Sequence, residues 1–383
     1  MLRILYLVFN LADPAVARRI AQFQLGGASV QIAGFRRSDA TLPDLGLDTA
    51  IELDITHDGR MLHRVFATAR ASYTTRAWGK AFARPDVIVA RNMEMLAIAN
   101  RLRALWPEPP RVVYECLDIH RLMLRQDGLG KGMRSMEQRL MRPAELLLTS
   151  SPAFLKNHFD IHGAPPAVLV ENKVFGLDEF GRNPGLDNDA ETIQLGWFGA
   201  LRCHRSLTVL DSLSRAMNGK LKVTLRGRPA RTEFTDFDAA TAAAPHLTYS
   251  GVYCYPDELA PIYSAVHFVW AIDFFEEGQN SKWLLPNRIY EGCLNGAIPI
   301  ALAGTETAAF IQRLGIGLVI PDIEQSTLLN LFESMTPDRI RSLAQAVAAQ
   351  DRAHFLCDAD ECRTLVDAIA GRSSAHTQLE VAA

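Results

Sequence analysis

Short apolar runs rich in β-branched residues alternate with helical patterns from the start of the chain. Arg3–Phe9, Ser29–Phe35, Val87–Ala90, Arg111–Tyr114, Leu146–Thr149 and Val168–Val170 are apolar on both faces, as strands buried in a parallel sheet are. Between them, Pro14–Leu25, Arg60–Lys80, Met93–Leu105, Gly132–Met141 and Pro152–Phe159 carry helical periodicity. Asp13 and Ser151 each precede a proline, so a capping residue is followed by proline at the first helical position. This βαβ punctuation predicts a doubly wound parallel sheet.

Gly176–Glu191 breaks the rhythm with glycines, a proline and acidic residues but little periodic apolar content, and it reads as a linker. The alternation then restarts with Ile193–Phe198, Lys222–Leu225, Leu247–Tyr249, His267–Ala271, Ile298–Ala301 and Leu318–Ile320. Pro337–Ala370 is mostly helical and Gly371–Ala383 reads as a loose tail. The expected organisation is one Rossmann-like domain over 1–175, a linker over 176–191, a second such domain over 192–370 and a tail over 371–383. Two such domains are expected to aim the carboxyl ends of their strands at a shared cleft.

Composition narrows the class. A length of 383 residues suits two domains, and 48% hydrophobic with 22% charged residues excludes a disordered or fibrous chain. No apolar run approaches the roughly 18–20 residues that span a bilayer, and Met1–Phe9 is short for a secretory leader. The six cysteines are scattered without a CxxC pair, which argues against a zinc site or dithiol chemistry and for a reduced, cytoplasmic setting. The net charge of −3 is uneven: residues 1–170 hold 22 basic against 16 acidic side chains, and the remainder 18 against 27. Two modules with different partners are expected, and no nucleic-acid motif accompanies the basic half.

The most informative stretch is Leu284–Ile300. Pro286 can open a helix and Gly296 can close it before the next strand. Ile289, Tyr290, Cys293 and Leu294 form an apolar face, while Arg288, Glu291 and Asn295 fall on one polar strip. An arginine at a helix N-terminus is suited to phosphate, and a carboxylate one turn on is suited to a ribose diol. The same two residues equally suit a surface ion pair.

The stretch resembles the donor-site motif of GT-B glycosyltransferases, particularly family 4 and neighbouring bacterial exopolysaccharide enzymes, which carry P-x-K-x-x-E before a small-residue run. The resemblance covers most of the chain. Ile193–Arg205 is similar to the family's glycine-rich turn, Lys222–Gly227 to its next strand, and His246–Ala271 to the segment before its sugar-contacting loop. Arg84–Asn92, Val113–His120, Leu147–Ser151 and Val170–Asn172 are similar to signatures of its first domain. The resemblance implies a GT-B fold with an N-terminal acceptor-binding domain and a C-terminal nucleotide-sugar-binding domain. It implies transfer of a hexose from a UDP- or GDP-type donor to a glycan or lipid-linked acceptor in surface-polysaccharide synthesis, with the nucleotide-sugar as co-substrate and no cofactor. Carried over, Glu291 would bind the ribose and Arg288, standing for the family's lysine, the diphosphate. Arg202, Arg205, Lys282 and Asn287 are further donor-site candidates, and each cation equally suits a solvated surface. The chain departs from the family at Trp283, where a first glutamate normally contacts the donor sugar; Glu276 and Glu277 lie near but out of register.

Glycosyl transfer needs a group to take the acceptor's proton and positive charge on the leaving diphosphate. Asp118, beyond the strand Arg111–Tyr114, is the candidate base, with His120 beside it; Glu115 is expected to point back toward the sheet. Asp13 follows the first strand, where such enzymes place an acceptor- or phosphate-facing loop. Asp187-Asn188-Asp189 and Asp358-Ala359-Asp360 match DxD, but neither follows a strand, and no metal is expected. Arg60, Arg64, Arg70, Arg76, Lys80 and Arg84 form an acid-free stripe beside an apolar helical face, the composition of a helix lying on an anionic membrane. A core-packing helix with a solvated basic face is the alternative. The expected location is the cytoplasm, peripheral to the inner face of the plasma membrane. Two other functions fit the same pattern, a sugar-nucleotide epimerase and a non-catalytic subunit of a polysaccharide assembly complex.

Overall fold

The computed structural model describes residues 1–37, 45–47, 50–56, 61–176, 179–186, 192–275 and 277–372, without the side chains of Met61 and Leu62. Two compact units divide the chain, Met1–Glu171 together with the segment from Asp358 onward, and Asn172–Cys357. The expected division is therefore displaced. The helix Ala359–Ala370 belongs to the first unit rather than the second, and the expected linker is part of the second. Gly26 explains the helix's placement: a Cβ there would lie 2.3 Å from the Cys362 carbonyl oxygen, so only glycine lets this helix pack against the end of the helix Pro14–Leu25. The tail beyond Arg372 and the Asp187–Asp189 motif lie outside the described residues.

The first unit holds seven strands: β1 (Leu2–Val8), β2 (Ala28–Arg37), β3 (Ala50–Thr56), β4 (Val87–Arg91), β5 (Arg111–Cys116), β6 (Ala144–Thr149) and β7 (Ala167–Leu169), in the order β3-β2-β1-β4-β5-β6-β7. All pair in parallel. β3 was not apparent in the sequence; only its last residue is fully buried, so its apolar signal is diluted by Glu52 and Asp54. The helical pattern expected over Arg60–Lys80 breaks at Thr74, whose φ −91° and ψ 9° leave the helical range, into Met61–Tyr73 and a short Thr75–Trp78 turn.

The second unit repeats the plan with β8 (Ile193–Leu201), β9 (Leu221–Pro229), β10 (Leu247–Tyr249), β11 (Phe268–Trp270), β12 (Ile298–Leu302) and β13 (Leu318–Ile320), in the order β10-β9-β8-β11-β12-β13. These strands are also parallel. Gly199 and Gly227 face each other across β8 and β9, and a Cβ on Gly227 would lie 1.9 Å from the Gly199 carbonyl oxygen. That approach requires glycine at 227, while at 199 it is the positive φ of 98° that favours glycine.

His267 ties the start of this sheet together. It is 1% exposed, its Nδ1 accepts the Gln194 N–H at 2.9 Å, and its carbonyl accepts the Asn183 amide at 2.7 Å. An accepting Nδ1 requires the neutral ring, and burial pushes its pKa below the ordinary 6.5. The group therefore contributes stability above pH 6.5 that is lost as the pH falls through its lowered folded value. The melting temperature is expected to fall on acidification through this range, with a shallower slope in His267→Asn, whose amide oxygen can still accept the Gln194 N–H. Equal slopes would assign the acid sensitivity elsewhere.

Candidate functional site

Connections leave β8 toward β9 on one side and arrive at β11 on the other, so the switch point of the second sheet lies between β8 and β11. Ligands of open α/β sheets bind at such points. A cavity of about 310 Å³ opens there, walled by Gly199 and Ala200 at the end of β8, Arg202 just after it, and Ala271, Ile272 and Asp273 after β11. The helix Asn287–Leu294 closes one side, with Pro286 as its N-cap and Gly296, at φ 85°, just past its C-cap Asn295.

Five of the sequence candidates (Arg202, Lys282, Asn287, Arg288 and Glu291) line this one cavity. Arg288, Glu291 and Asn295 are buried, so their strip faces the protein rather than solvent. Arg288 is 6% exposed, donates weakly to the carbonyls of Ala200 (3.3 Å) and Trp270 (3.5 Å), and lies 4.0 Å from Asp273. It is therefore not the surface partner of Glu291. Glu291 accepts the Tyr263 hydroxyl at 2.9 Å and the Tyr253 hydroxyl at 3.5 Å. Burial, and then the Glu291 carboxylate, push both tyrosines well above their ordinary pKa, so both remain hydroxyl donors. Asn295 serves the fold: its amide donates to the Glu291 carbonyl and its oxygen accepts the Gly181 N–H, both at 2.8 Å.

Arg205 stands apart from the cavity wall, in the first turn of the helix His204–Ala216. It pairs with Glu277 at 2.8 Å and lies over the Phe274 ring. Trp283 is likewise not part of the wall, and Glu276 lies outside the described residues. The carboxylate that sequence reasoning missed is Asp273, which takes Arg202 Nε at 3.1 Å and faces Arg288. Its signal was its place just past the strand His267–Ala271, at the carboxyl end where ligand loops arise. Charged groups on the wall balance: Arg202, Lys282 and Arg288 against Asp273, Glu277 and Glu291. Such a site holds two arginine forks in place, Arg202 paired with Asp273 at 3.1 Å and Arg288 no nearer than 4.0 Å to the same carboxylate.

Asp118 and His120 belong to the first unit, on the loop leaving β5. Asp118 is exposed; His120 Nδ1 accepts the Leu122 N–H at 3.3 Å and caps the short helix Arg121–Leu124. Among the described residues no three His, Cys, Asp or Glu side chains converge to hold a metal. Asp358 caps the helix Ala359–Ala370 and Asp360 pairs with Arg363 one turn on.

No family model matches the chain. Solved structures similar over 97% of it include HepE of Anabaena in complex with UDP and glucose (TM-score 0.68, 14% identity, 100% of that chain). Sucrose-phosphate synthase of Thermosynechococcus elongatus is similar at TM-score 0.67 and 14% identity over 97% of each chain. The lipopolysaccharide outer core galactosyltransferase WaaB is similar at TM-score 0.64 and 13% identity over 97% of this chain and 100% of that one. With the two parallel-sheet units, these likenesses define the GT-B fold. A relative in sequence, the succinoglycan biosynthesis protein ExoL of Rhizobium meliloti (strain 1021), is 46% identical over 378 residues, spanning 97% of this chain and 94% of its own. The chain belongs to the ExoL family of succinoglycan biosynthesis proteins.

Proposed function

We propose that this chain is a glycosyltransferase of exopolysaccharide synthesis that moves a hexose from a nucleoside-diphosphate donor to a glycan or lipid-linked acceptor. The observation that carries this reading is the convergence of Arg202, Arg288 and Glu291 on one cavity at the switch point of the second sheet. Arg202 and Arg288 take the diphosphate and offset the charge that grows on it as the glycosidic bond breaks. Glu291, with two tyrosines on one oxygen, takes the ribose hydroxyls, while Lys282 and Asn287 stand at the rim. Uridine is the proposed nucleoside, in keeping with the UDP and UDP-glucose complexes of HepE. Asp118, with His120 beside it, takes the acceptor's proton. Arginines do the work a metal does in other transferases, so neither metal nor resident cofactor is needed.

No described helix is long and apolar enough to cross a membrane. The helix Met61–Tyr73 instead presents Val65, Phe66 and Tyr73 to solvent, at 58%, 72% and 89% exposure. Its stripe is less purely basic than the segment implies: Arg64 pairs with Glu94, Arg70 with Asp54 and Arg84 with Glu108, all from elsewhere in the chain. Arg76 and Lys80 have no ion-pair partner among the described residues, and Arg60 lies outside them. The reading is peripheral attachment to the anionic inner face of the plasma membrane, where the acceptor is presented.

The test follows label from UDP-hexoses into lipid-extractable product on membranes of a succinoglycan-producing bacterium. Wild type is expected to transfer and to sediment with phosphatidylglycerol vesicles. Reversing Arg70, Arg76 and Lys80 to Glu is expected to release the protein, since each basic residue near the surface contributes about 1 kcal/mol. Turnover without any acceptor would favour the epimerase reading, and unchanged sedimentation would remove the membrane reading.

A further inference from the structure

Ligands of open α/β sheets bind beyond the carboxyl ends of the strands. A second cavity, of about 420 Å³, opens at the opposite edge of the first unit's sheet. β4 starts at Val87, and the helix Met93–Leu102 runs back from its carboxyl end. The turn before the strand, Gly79–Ala81, and the turn after the helix, Arg103–Leu105, therefore meet beside the strand's amino end. A Cβ on Gly79 would lie 2.6 Å from Leu102 Cδ1 and 2.7 Å from Leu105 Cδ1, so glycine lets the two turns close on each other. Phe82, Leu105 and Trp106 supply the apolar wall, and its charged residues are Arg76 and Lys80.

This wall carries two cations and no acid. Arg64, Arg70 and Arg84 of the same basic stripe are each matched by a carboxylate, so the unmatched charge collects at this cavity. Arg103, one position before the wall, adds to it, and its buried Nε has no hydrogen-bond partner among the described residues. The acids of this edge are spent elsewhere: Glu108 faces Arg84 at 3.5 Å and Asp86 takes Arg3 at 3.0 Å. We propose that the cavity is a binding site for a phosphate ester, with Arg76 and Lys80 taking the phosphate oxygens and the Phe82, Leu105 and Trp106 side receiving the organic group. An arginine fork and a lysine point charge both suit phosphate. The space is far larger than a water-sized ion fills, and an apolar wall does nothing for a bare anion, so the phosphate carries an organic group.

Two sources carry this chemistry, a phospholipid headgroup and a soluble phosphate ester. The helix Met61–Tyr73 leads into the wall, and Tyr73, three residues before Arg76, is 89% exposed, which favours the lipid. In that form the site rests on the membrane reading above. It lies at the other edge of the sheet from the loop of Asp118 and His120, so an occupied site leaves that loop clear.

Calorimetry with glycerol 3-phosphate and co-sedimentation with phosphatidylglycerol vesicles test the site in wild type, Arg76→Ala, Lys80→Ala and Arg142→Ala. Arg142 is exposed and outside the wall, so its substitution removes one positive charge without touching the cavity. Arg76→Ala and Lys80→Ala are each expected to weaken binding about tenfold, as loss of a hydrogen bond to a charged group does. Arg142→Ala is expected to bind as wild type does, and all three variants to keep its melting temperature. A loss on vesicles identifies a lipid headgroup, and a loss confined to glycerol 3-phosphate identifies a soluble ester. No loss in either arm, or an equal loss in Arg142→Ala, would overturn the proposal. Wild type that ignores the vesicles but takes glycerol 3-phosphate through Arg76 and Lys80 would instead remove the membrane reading and leave the site in place.

Discussion

Arg288→Ala is expected to lower affinity for UDP by roughly ten- to a hundredfold, because hydrogen bonds to charged groups contribute about 1.5–3 kcal/mol. The guanidinium is buried yet loosely held, by two carbonyls at 3.3 and 3.5 Å and a carboxylate at 4.0 Å. A diphosphate offers it a bidentate partner that the protein does not. Arg288→Lys should recover part of the loss, since the charge stays but the planar fork goes. Uridine without phosphates is the control. Its binding is expected to be unchanged, and calorimetry showing equal losses for uridine and UDP would mean that the substitution had collapsed the cavity instead.

Glu115→Ala is expected to be the most damaging single change to the first unit, costing about 3–5 kcal/mol where whole domains are typically stable by only about 5–15 kcal/mol. Glu115 is fully buried, takes Arg19 Nε at 2.8 Å and the Tyr6 hydroxyl, and faces Arg91. Removing it leaves the buried Arg19 guanidinium without an anion and Arg91 with only the partly exposed Asp13. Glu115→Gln keeps acceptor oxygen and volume and should lose less. Burial alone would raise this carboxyl's pKa, but Arg19 and Arg91 hold it below the ordinary 4.5. Its contribution is thus present above that value and lost as the pH falls through the lowered one. Urea unfolding followed at neutral and acidic pH checks both points; an alanine variant as stable as wild type would show that the network is not what secures this sheet.

Much of this arrangement was legible before any coordinates. Buried parallel strands advertise themselves as runs apolar on both faces, so every strand of both sheets but the half-exposed β3 could be read, and the helical spacing of Arg288, Glu291 and Asn295 put them on one strip. Periodicity could not say which way that strip faced, and it turned inward. The membership of the helix Ala359–Ala370 was hidden because it depends on a contact between residues far apart in sequence, Gly26 against Cys362. Asp273 was hidden because one aspartate in a loop carries no period. The backbone of Asn92, at φ 75° and ψ 165°, was hidden too, since asparagine announces a turn but not a conformation otherwise left to glycine.

The most direct test of the central claim is a thermal-shift titration of the wild-type chain and Glu291→Ala with UDP, GDP, ADP and CMP. A ligand at about a hundred times its dissociation constant stabilises by roughly 2.7 kcal/mol. The expected result is a saturable rise in melting temperature with UDP that Glu291→Ala loses while remaining folded. No rise with any of the four nucleotides, or an equal rise in the variant, would contradict a nucleotide-sugar site built on Arg288 and Glu291.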